Sequence, residues 1–436
     1  MANGYLYRSG ANSGASGTTA TVSMWVRKHD ESAGDGGFFQ FWSSGSNFCS
    51  AYANPTLKMR NYIAGGYSQG DITCNRLLRD HGAWYHLQCV WDTTNSTAGD
   101  RMRIYINGVR ETSFSSSSNP SSSYAFGPLE SGTFYLNRYN ANTTTGSQSY
   151  SHVHYCDGYA YEPTVFGETD TTTGEWKIKT SPTCNYGSNG FFILKDGSST
   201  TDQSGNSKTF TTSGTLTNTE DCPSNVFATW NALDNYYASA TLTNGNTKVA
   251  TNSSAYSATL TSLGASSGKY YAEFKLIDKG SGYCQIGIKG KQPTSTSDGV
   301  GAGSDGLAYR KDGYKVLNGS SSTYGTSYDN NDIIGIAMDL DNNRLFFSKN
   351  GTFQDSGDPT SSTGAITIPT SSSGFYFMGI SDEHNNGTNT WEANFGNGYF
   401  GTTAISSEGT NASGIGKFEY DVPTGYTALS TKGLNE

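Results

Sequence analysis

Apolar and polar residues in this chain alternate in short runs and do not recur every three or four positions. Leu57-Lys58-Met59-Arg60-Asn61-Tyr62 and Met102-Arg103-Ile104-Tyr105-Ile106 place every second side chain on one face, the period of a strand with one side on a core. Comparable runs at 21–26, 37–42 and 84–91, with closing strands at 133–136 and 156–161, predict a first set of strands. A second set falls at 269–276, 283–288, 306–309, 333–340, 344–349, 375–380 and 391–396. Asn107-Gly108 and Asn350-Gly351 follow strand runs and predict tight reversals, because both turn residues must take positive φ. Asp341-Asn342-Asn343 predicts a third reversal.

With 436 residues the chain is too long for one core. The strand sets imply an all-β fold of two tandem β-sandwich (jelly-roll) domains, at 1–166 and 236–436, joined by a structured β-rich linker at 167–235. The linker is rich in Thr, Ser, Gly and Asn but contains the strand-like run 189–194, and a structureless insert of this length is unusual in a compact domain. It is therefore expected to clasp one or both sandwiches. Aromatic residues reach 13% and charged ones only 15%, which argues against disorder.

Particular motifs carry family resemblances. Trp25-Val26-Arg27, Trp84-Tyr85-His86, Val90-Trp91-Asp92, Arg103-Ile104-Tyr105-Ile106-Asn107-Gly108-Val109 and Asp157-Gly158-Tyr159 resemble the laminin-G/concanavalin-A-like jelly roll. Tyr270-Tyr271-Ala272-Glu273-Phe274, the run 332–341, Leu345-Phe346-Phe347-Ser348-Lys349-Asn350-Gly351 and Ala393-Asn394-Phe395-Gly396 resemble the SPRY fold, in the expected order. The linker wording at 166–170, 174–177, 186–191, 202–206 and 227–233 is similar to linkers in structural proteins of tailed bacteriophages.

The net charge of −9, with no basic run, excludes a nucleic-acid backbone as a partner. No apolar run is long enough for a membrane span, and the first residues lack a signal-peptide pattern, so synthesis in the host cytoplasm is expected. The seven cysteines include no C-x-x-C; Cys89 and Cys284 sit in apolar strand patterns as buried small residues, and a Cys184–Cys222 disulfide is left open by the spacing.

No catalytic constellation emerges, and the chain is read as no enzyme. There is no G-x-S-x-G motif, and Glu130 and Glu273 stand without the second carboxylate a glycosidase needs. His152 and His154 share a strand face but lack a third metal ligand nearby, so a surface or interface role is favoured for them. The laminin-G resemblance implies calcium at a sandwich rim, for which Asp71, Asp92, Asp100 and Asn107 are of the right type, although the same residues serve ordinary turns.

Binding remains. Tyr62 and Tyr67, Tyr324 and Tyr328, and His384 with Asn386 sit in loops whose chemistry suits stacking on sugars, and the SPRY resemblance adds Tyr309, Tyr314 and Asp382 near a rim. The expected function is a non-catalytic virion structural protein (fibre, adhesin or capsid decoration) on the virion surface, binding host-surface glycans or proteins. It would contact other virion proteins and form a homo-oligomer, with a trimer favoured. The alternatives are a polysaccharide depolymerase and a purely assembly or scaffolding component.

Overall fold

The structure is a computed structural model and describes residues 4–9, 15–29, 36–139, 146–195, 199–382 and 387–435. It is almost wholly β. The chain divides into two compact units, Met1–Asn218 with Cys222–Ser224, and Thr219–Asp221 with Asn225–Glu436. Among the described residues no helix is long and apolar enough to cross a membrane.

The first unit holds two antiparallel sheets over one core. The eight-stranded sheet runs Phe114–Ser118, Asp71–Leu77, Thr56–Ile63, Asn47–Asn54, Gly36–Ser44, Thr133–Leu136, Tyr5–Arg8, Thr211–Ser213. The six-stranded sheet runs Phe191–Ile193, Gln148–Asp157, Thr19–Lys28, Tyr85–Asp92, Met102–Ile106, Val109–Arg110. The alternation anticipated from the sequence decides the faces: Leu57 and Met59 point into the core, and Lys58 and Arg60 point away. Rings from both sheets interlock there, with Phe41 edge-on to Phe134 at 5.2 Å and Phe39 edge-on to Trp91 at 6.2 Å. The buried Asn61 side chain is satisfied, since it accepts from Trp91 Nε1 at 3.0 Å and donates to the Gln69 carbonyl at 3.0 Å.

Residues 167–213 contribute to this unit's own sheets, through Phe191–Ile193 beside Gln148–Asp157 and Thr211–Ser213 beside Tyr5–Arg8. Before both of these strands, the hairpin Gly167–Thr169/Trp176–Ile178 and the residues around Cys184 cover the outer side of the six-stranded sheet. That cover corrects the reading of the paired histidines. His152 and His154 are buried, 1% and 2% exposed, and both lie against the Phe192 ring, at 5.7 and 4.0 Å. His152 takes φ +48° at a bulge in the strand, and His154 Nδ1 is 2.9 Å from the Tyr186 hydroxyl. Burial, with His152 and His86 nearby, holds His154 well below the ordinary imidazole range, so it is a neutral packing residue with no surface role.

The second unit also stacks two sheets on one core. One runs Thr241–Thr243, Lys248–Ala250, Thr390–Asn394, Lys269–Asp278, Ile333–Asp339, Arg344–Lys349, Thr352–Phe353, with Ile366–Thr367 and Thr427–Ala428 paired at its sides. The other runs Thr259–Leu260, Phe377–Asp382, Cys284–Lys289, Gly306–Arg310, Tyr314–Leu317, Ser320–Thr323. Asn350-Gly351 and Asn107-Gly108 make the anticipated reversals, with φ of +49° and +80°, and +49° and +77°. Glu273, fully buried, accepts backbone N–H groups of Glu419 and Tyr420 at 2.8 Å each, pinning a late segment against the sheet.

Candidate binding faces

In the first unit, the outer face of the eight-stranded sheet carries a row of paired side chains. Tyr135 stands opposite Gln40, Gln40 opposite Ser50, Ser50 opposite Arg60, and Arg60 opposite Asp71. Arg60 Nε meets Asp71 Oδ1 at 2.8 Å, and its guanidinium lies over the rings of Tyr67 and Tyr52 at 4.9 and 5.4 Å. Tyr62 packs against Tyr67 at 4.8 Å and Phe48 at 5.2 Å, while Tyr52 stacks on Tyr139 at 4.1 Å. The structure therefore brings Tyr62 and Tyr67 together, with Tyr67 38% exposed. Beneath them Gln40 and Ser50 are fully buried, and neither the Gln40 amide nor the Ser50 hydroxyl has a hydrogen-bond partner among the described residues.

In the second unit, the two anticipated stacking rings Tyr324 and Tyr328 and the anticipated rim residue Tyr309 prove to be core. Tyr309, Tyr324 and Tyr328 are 0%, 8% and 4% exposed, so they cannot stack on a ligand. Tyr309 alternates inward with Leu307 on its strand, and its hydroxyl donates to the Thr326 carbonyl. The Tyr328 hydroxyl donates to the Tyr309 carbonyl at 3.0 Å, and the Tyr324 hydroxyl accepts from Phe347 N at 3.2 Å. Burial pushes the Tyr309 hydroxyl up to about 12 and raises Tyr324 and Tyr328 well above the ordinary phenol value, so all three are neutral donors or acceptors inside a packed ring cluster.

Tyr314 behaves differently. It is 37% exposed, and Arg310 lies between it and Tyr283, with the guanidinium 5.4 and 4.8 Å from the two rings. Asp312 fixes that guanidinium with two contacts of 2.9 Å. Gln285, directly opposite Arg310, lines a neighbouring cleft of about 360 Å³ together with Tyr256, Gly299, Gly301, Ser381 and Asp382. The anticipated Asp382 is thus at a cavity wall and buried, while His384 and Asn386 lie outside the described residues.

The cleft's other wall is a glycine-rich loop held by a buried cation. Lys289 Nζ sits 2.8 Å from Asp298 Oδ1 and 3.9 Å from Asp305 Oδ1, and donates to the carbonyls of Gly299 at 3.2 Å and Ala302 at 2.9 Å. Gln285 accepts from Gly301 N at 3.2 Å and Ser381 from Val300 N at 3.0 Å, stitching the same loop to the sheet. Burial would raise the Asp298 carboxyl, but the hydrogen bonds from Lys289 and the Thr294 N–H, with the charges of Lys289 and Lys291, together outweigh it and hold the group below its ordinary value. Lys289 escaped the sequence reading. Its signal was a lysine sharing a face with Gln285 in an otherwise apolar strand.

The residues considered for calcium are engaged locally. Asp71 pairs with Arg60, Asp100 with Arg110 at 2.7 Å, Asp92 accepts from Thr94 at 2.6 Å, and Asn107 accepts from His86 N at 2.8 Å. Among the described residues, no three His, Cys, Asp or Glu side chains gather as a metal-ligand group.

Residues 2–154 match the family model of the concanavalin A-like lectin/glucanases superfamily, and residues 269–365 match that of the SPRY domain. Among solved structures, the chain is similar to the SPRY domain of human HERC1, at 17% identity over 35% of this chain and 91% of that one, with a TM-score of 0.28. It is similar to stonustoxin at 17% identity over 40% of this chain and 27% of that one, TM-score 0.30. A heptameric SAP-like pentraxin from Limulus polyphemus gives 16% identity over 35% and 69%, TM-score 0.25. The chain accordingly joins a laminin-G/concanavalin A-like domain to a SPRY domain, in the order that the motifs implied.

Proposed function

We propose that the chain is a structural protein on the virion surface of a tailed bacteriophage, and that it binds a host-surface glycan without transforming it. The observation that carries the binding reading is the Tyr62–Tyr67–Arg60–Asp71 face of the first unit. Aromatic rings offer apolar faces to the C–H surface of a sugar, and a guanidinium and a carboxylate side by side offer donors and acceptors to its hydroxyls. The linker wording at 166–233 supports the virion setting. Assembly as a homo-oligomer, a trimer first, would let several weak sites act with avidity.

The test is calorimetry of the full chain with purified host capsule or exopolysaccharide. Saturable binding is expected, with Tyr62→Ala and Tyr67→Ala each weakening it about tenfold, or about 1.4 kcal/mol. Unchanged affinity in both variants would remove this face from the reading, and release of reducing ends would overturn the non-catalytic part. A particle reconstruction with the chain wholly beneath other proteins would leave an assembly role instead.

A second reading, a protein partner, is favoured by the second unit's cleft. Asp382 at its wall and the exposed Tyr283 and Tyr314 rings on either side of the Arg310 guanidinium suit a polar peptide segment.

A further inference from the structure

Cys156 is the next-to-last residue of the strand Gln148–Asp157, on the outer side of the first unit's six-stranded sheet, opposite Thr21. The covering segment returns beside it. Asp157 N donates to the Tyr186 carbonyl at 3.1 Å, and the Asn189 side chain donates to Asp157 Oδ2 at 3.2 Å. The Tyr161 hydroxyl accepts from Asn185 N at 2.8 Å, so the backbone on the C-terminal side of Cys184 is fixed at several points. The Asp157–Tyr186 and Tyr161–Asn185 bonds bring Cys184 next to Cys156, close enough for each thiol to perturb the other's ionisation. None of the seven cysteines is in a disulfide, and the Cys222 thiol meets the Ser224 hydroxyl at 3.1 Å, so the open Cys184–Cys222 pairing gives way to Cys184 beside Cys156.

We propose that Cys156 and Cys184 are a reversible dithiol/disulfide pair, whose oxidation fastens the segment 158–190 onto the six-stranded sheet. Cys156 is buried and Cys184 partly exposed, which gives the two sulfurs different tasks. The neighbouring Cys156 thiol lowers the Cys184 thiol below its ordinary value against the opposing effect of burial, which favours the thiolate at Cys184. Burial raises Cys156, which stays a thiol. The Cys184 thiolate attacks a low-molecular-weight disulfide, forming a mixed disulfide and expelling one small thiolate. Cys156 then attacks the Cys184 sulfur, its proton passing to the second departing thiolate. Two protein thiols are oxidised and one small disulfide is reduced to two thiols, so the exchange balances. A chain leaving a reducing cytoplasm for an oxidising exterior would make this change once.

The experiment compares the full chain after dithiothreitol and after oxidised glutathione. The oxidised protein should be lighter by about 2 Da, with no retained glutathione, and its peptide map should contain one Cys156–Cys184 link. Its first-unit melting transition should rise by about 5–10 °C. Cys184→Ser should abolish that rise and Cys222→Ser should leave it intact. A stable glutathione adduct on Cys184, a link to Cys222, or an unchanged mass would each overturn the proposal. The peptide map is made on the unsubstituted protein, so a variant that folds poorly does not blunt the test.

Discussion

The indole nitrogen of Trp176 donates a hydrogen bond to Nδ1 of His86 at 3.1 Å, and His86 Nε2 is 2.8 Å from the Ser23 hydroxyl. Since Nδ1 accepts, the neutral ring carries its proton on Nε2 and donates to Ser23. The ring is thus tied both to its own sheet and to the segment that covers that sheet.

A pH dependence follows for the first unit. Burial lowers His86 to about 3, below its ordinary 6.5, so the neutral ring is the folded form. The contribution of such a group is complete above about 6.5 and is lost as the pH falls toward 3. His29, also lowered to about 3 by burial, acts in the same direction. Hydrogen exchange of the Tyr85–Asp92 amides should report a loss on the order of a few kcal/mol between pH 7 and 4. His86→Gln should flatten that slope.

The second unit should answer acid oppositely through Glu273. Burial raises its carboxyl to about 7, against the lowering effect of the Glu419 and Tyr420 N–H groups, and the ordinary value is 4.5. A raised acid contributes fully below 4.5 and loses that contribution as the pH rises through 7. Exchange protection in the strand Lys269–Asp278 should therefore increase between pH 7.5 and 5 by about 1 kcal/mol or more. Glu273→Gln should remove this dependence and leave one backbone N–H unanswered, a cost of about 1–3 kcal/mol.

Lys289→Met leaves the Asp298 and Asp305 carboxylates facing a methyl group where an ammonium had been. Removing one partner from a buried charge cluster costs about 3–5 kcal/mol, readable in urea unfolding of the second unit. Adding Asp298→Asn and Asp305→Asn should recover part of the loss, because the uncompensated charges go with them.

Gly108→Ala should destabilise the first unit by about 1–3 kcal/mol and alter the Trp176 near-ultraviolet signal. The turn needs φ +77°, and an added Cβ would meet the Trp176 ring at 2.5 Å. Gly65→Ala is the control, because φ is +81° there but nothing lies within 4 Å. It should show only the backbone part of the cost.

Alternation and Asn-Gly turns made the two sandwiches legible, since period two and positive φ are local properties. The strand Asn47–Asn54 was not read, because Cys49, Ser50, Ala51 and Ala53 give little contrast between its faces even though nearly all of it is buried. At the sites, Tyr62 and Tyr67 were found as a loop pair. Tyr309 was misassigned although Leu307, two residues earlier, marks its face as inward. Tyr324 and Tyr328 lie outside regular strands, where no alternation tells an inward ring from an outward one. The clamp at Lys289 joins carboxylates and loop carbonyls up to 16 residues away, and its one local mark is a lysine sharing a face with Gln285 in an apolar strand.

Thr211–Ser213 on the Tyr5–Arg8 strand has a further consequence. Together with Phe191–Ile193 on Gln148–Asp157, it occupies a sheet margin whose N–H and C=O groups would otherwise face outward. Emerging from the ribosome, a chain cut near residue 154 would present both margins bare, as templates for pairing with neighbouring copies. The late strands thus act as built-in guards against self-association. Solubility of the first unit should depend on residues lying well past the end of its family match.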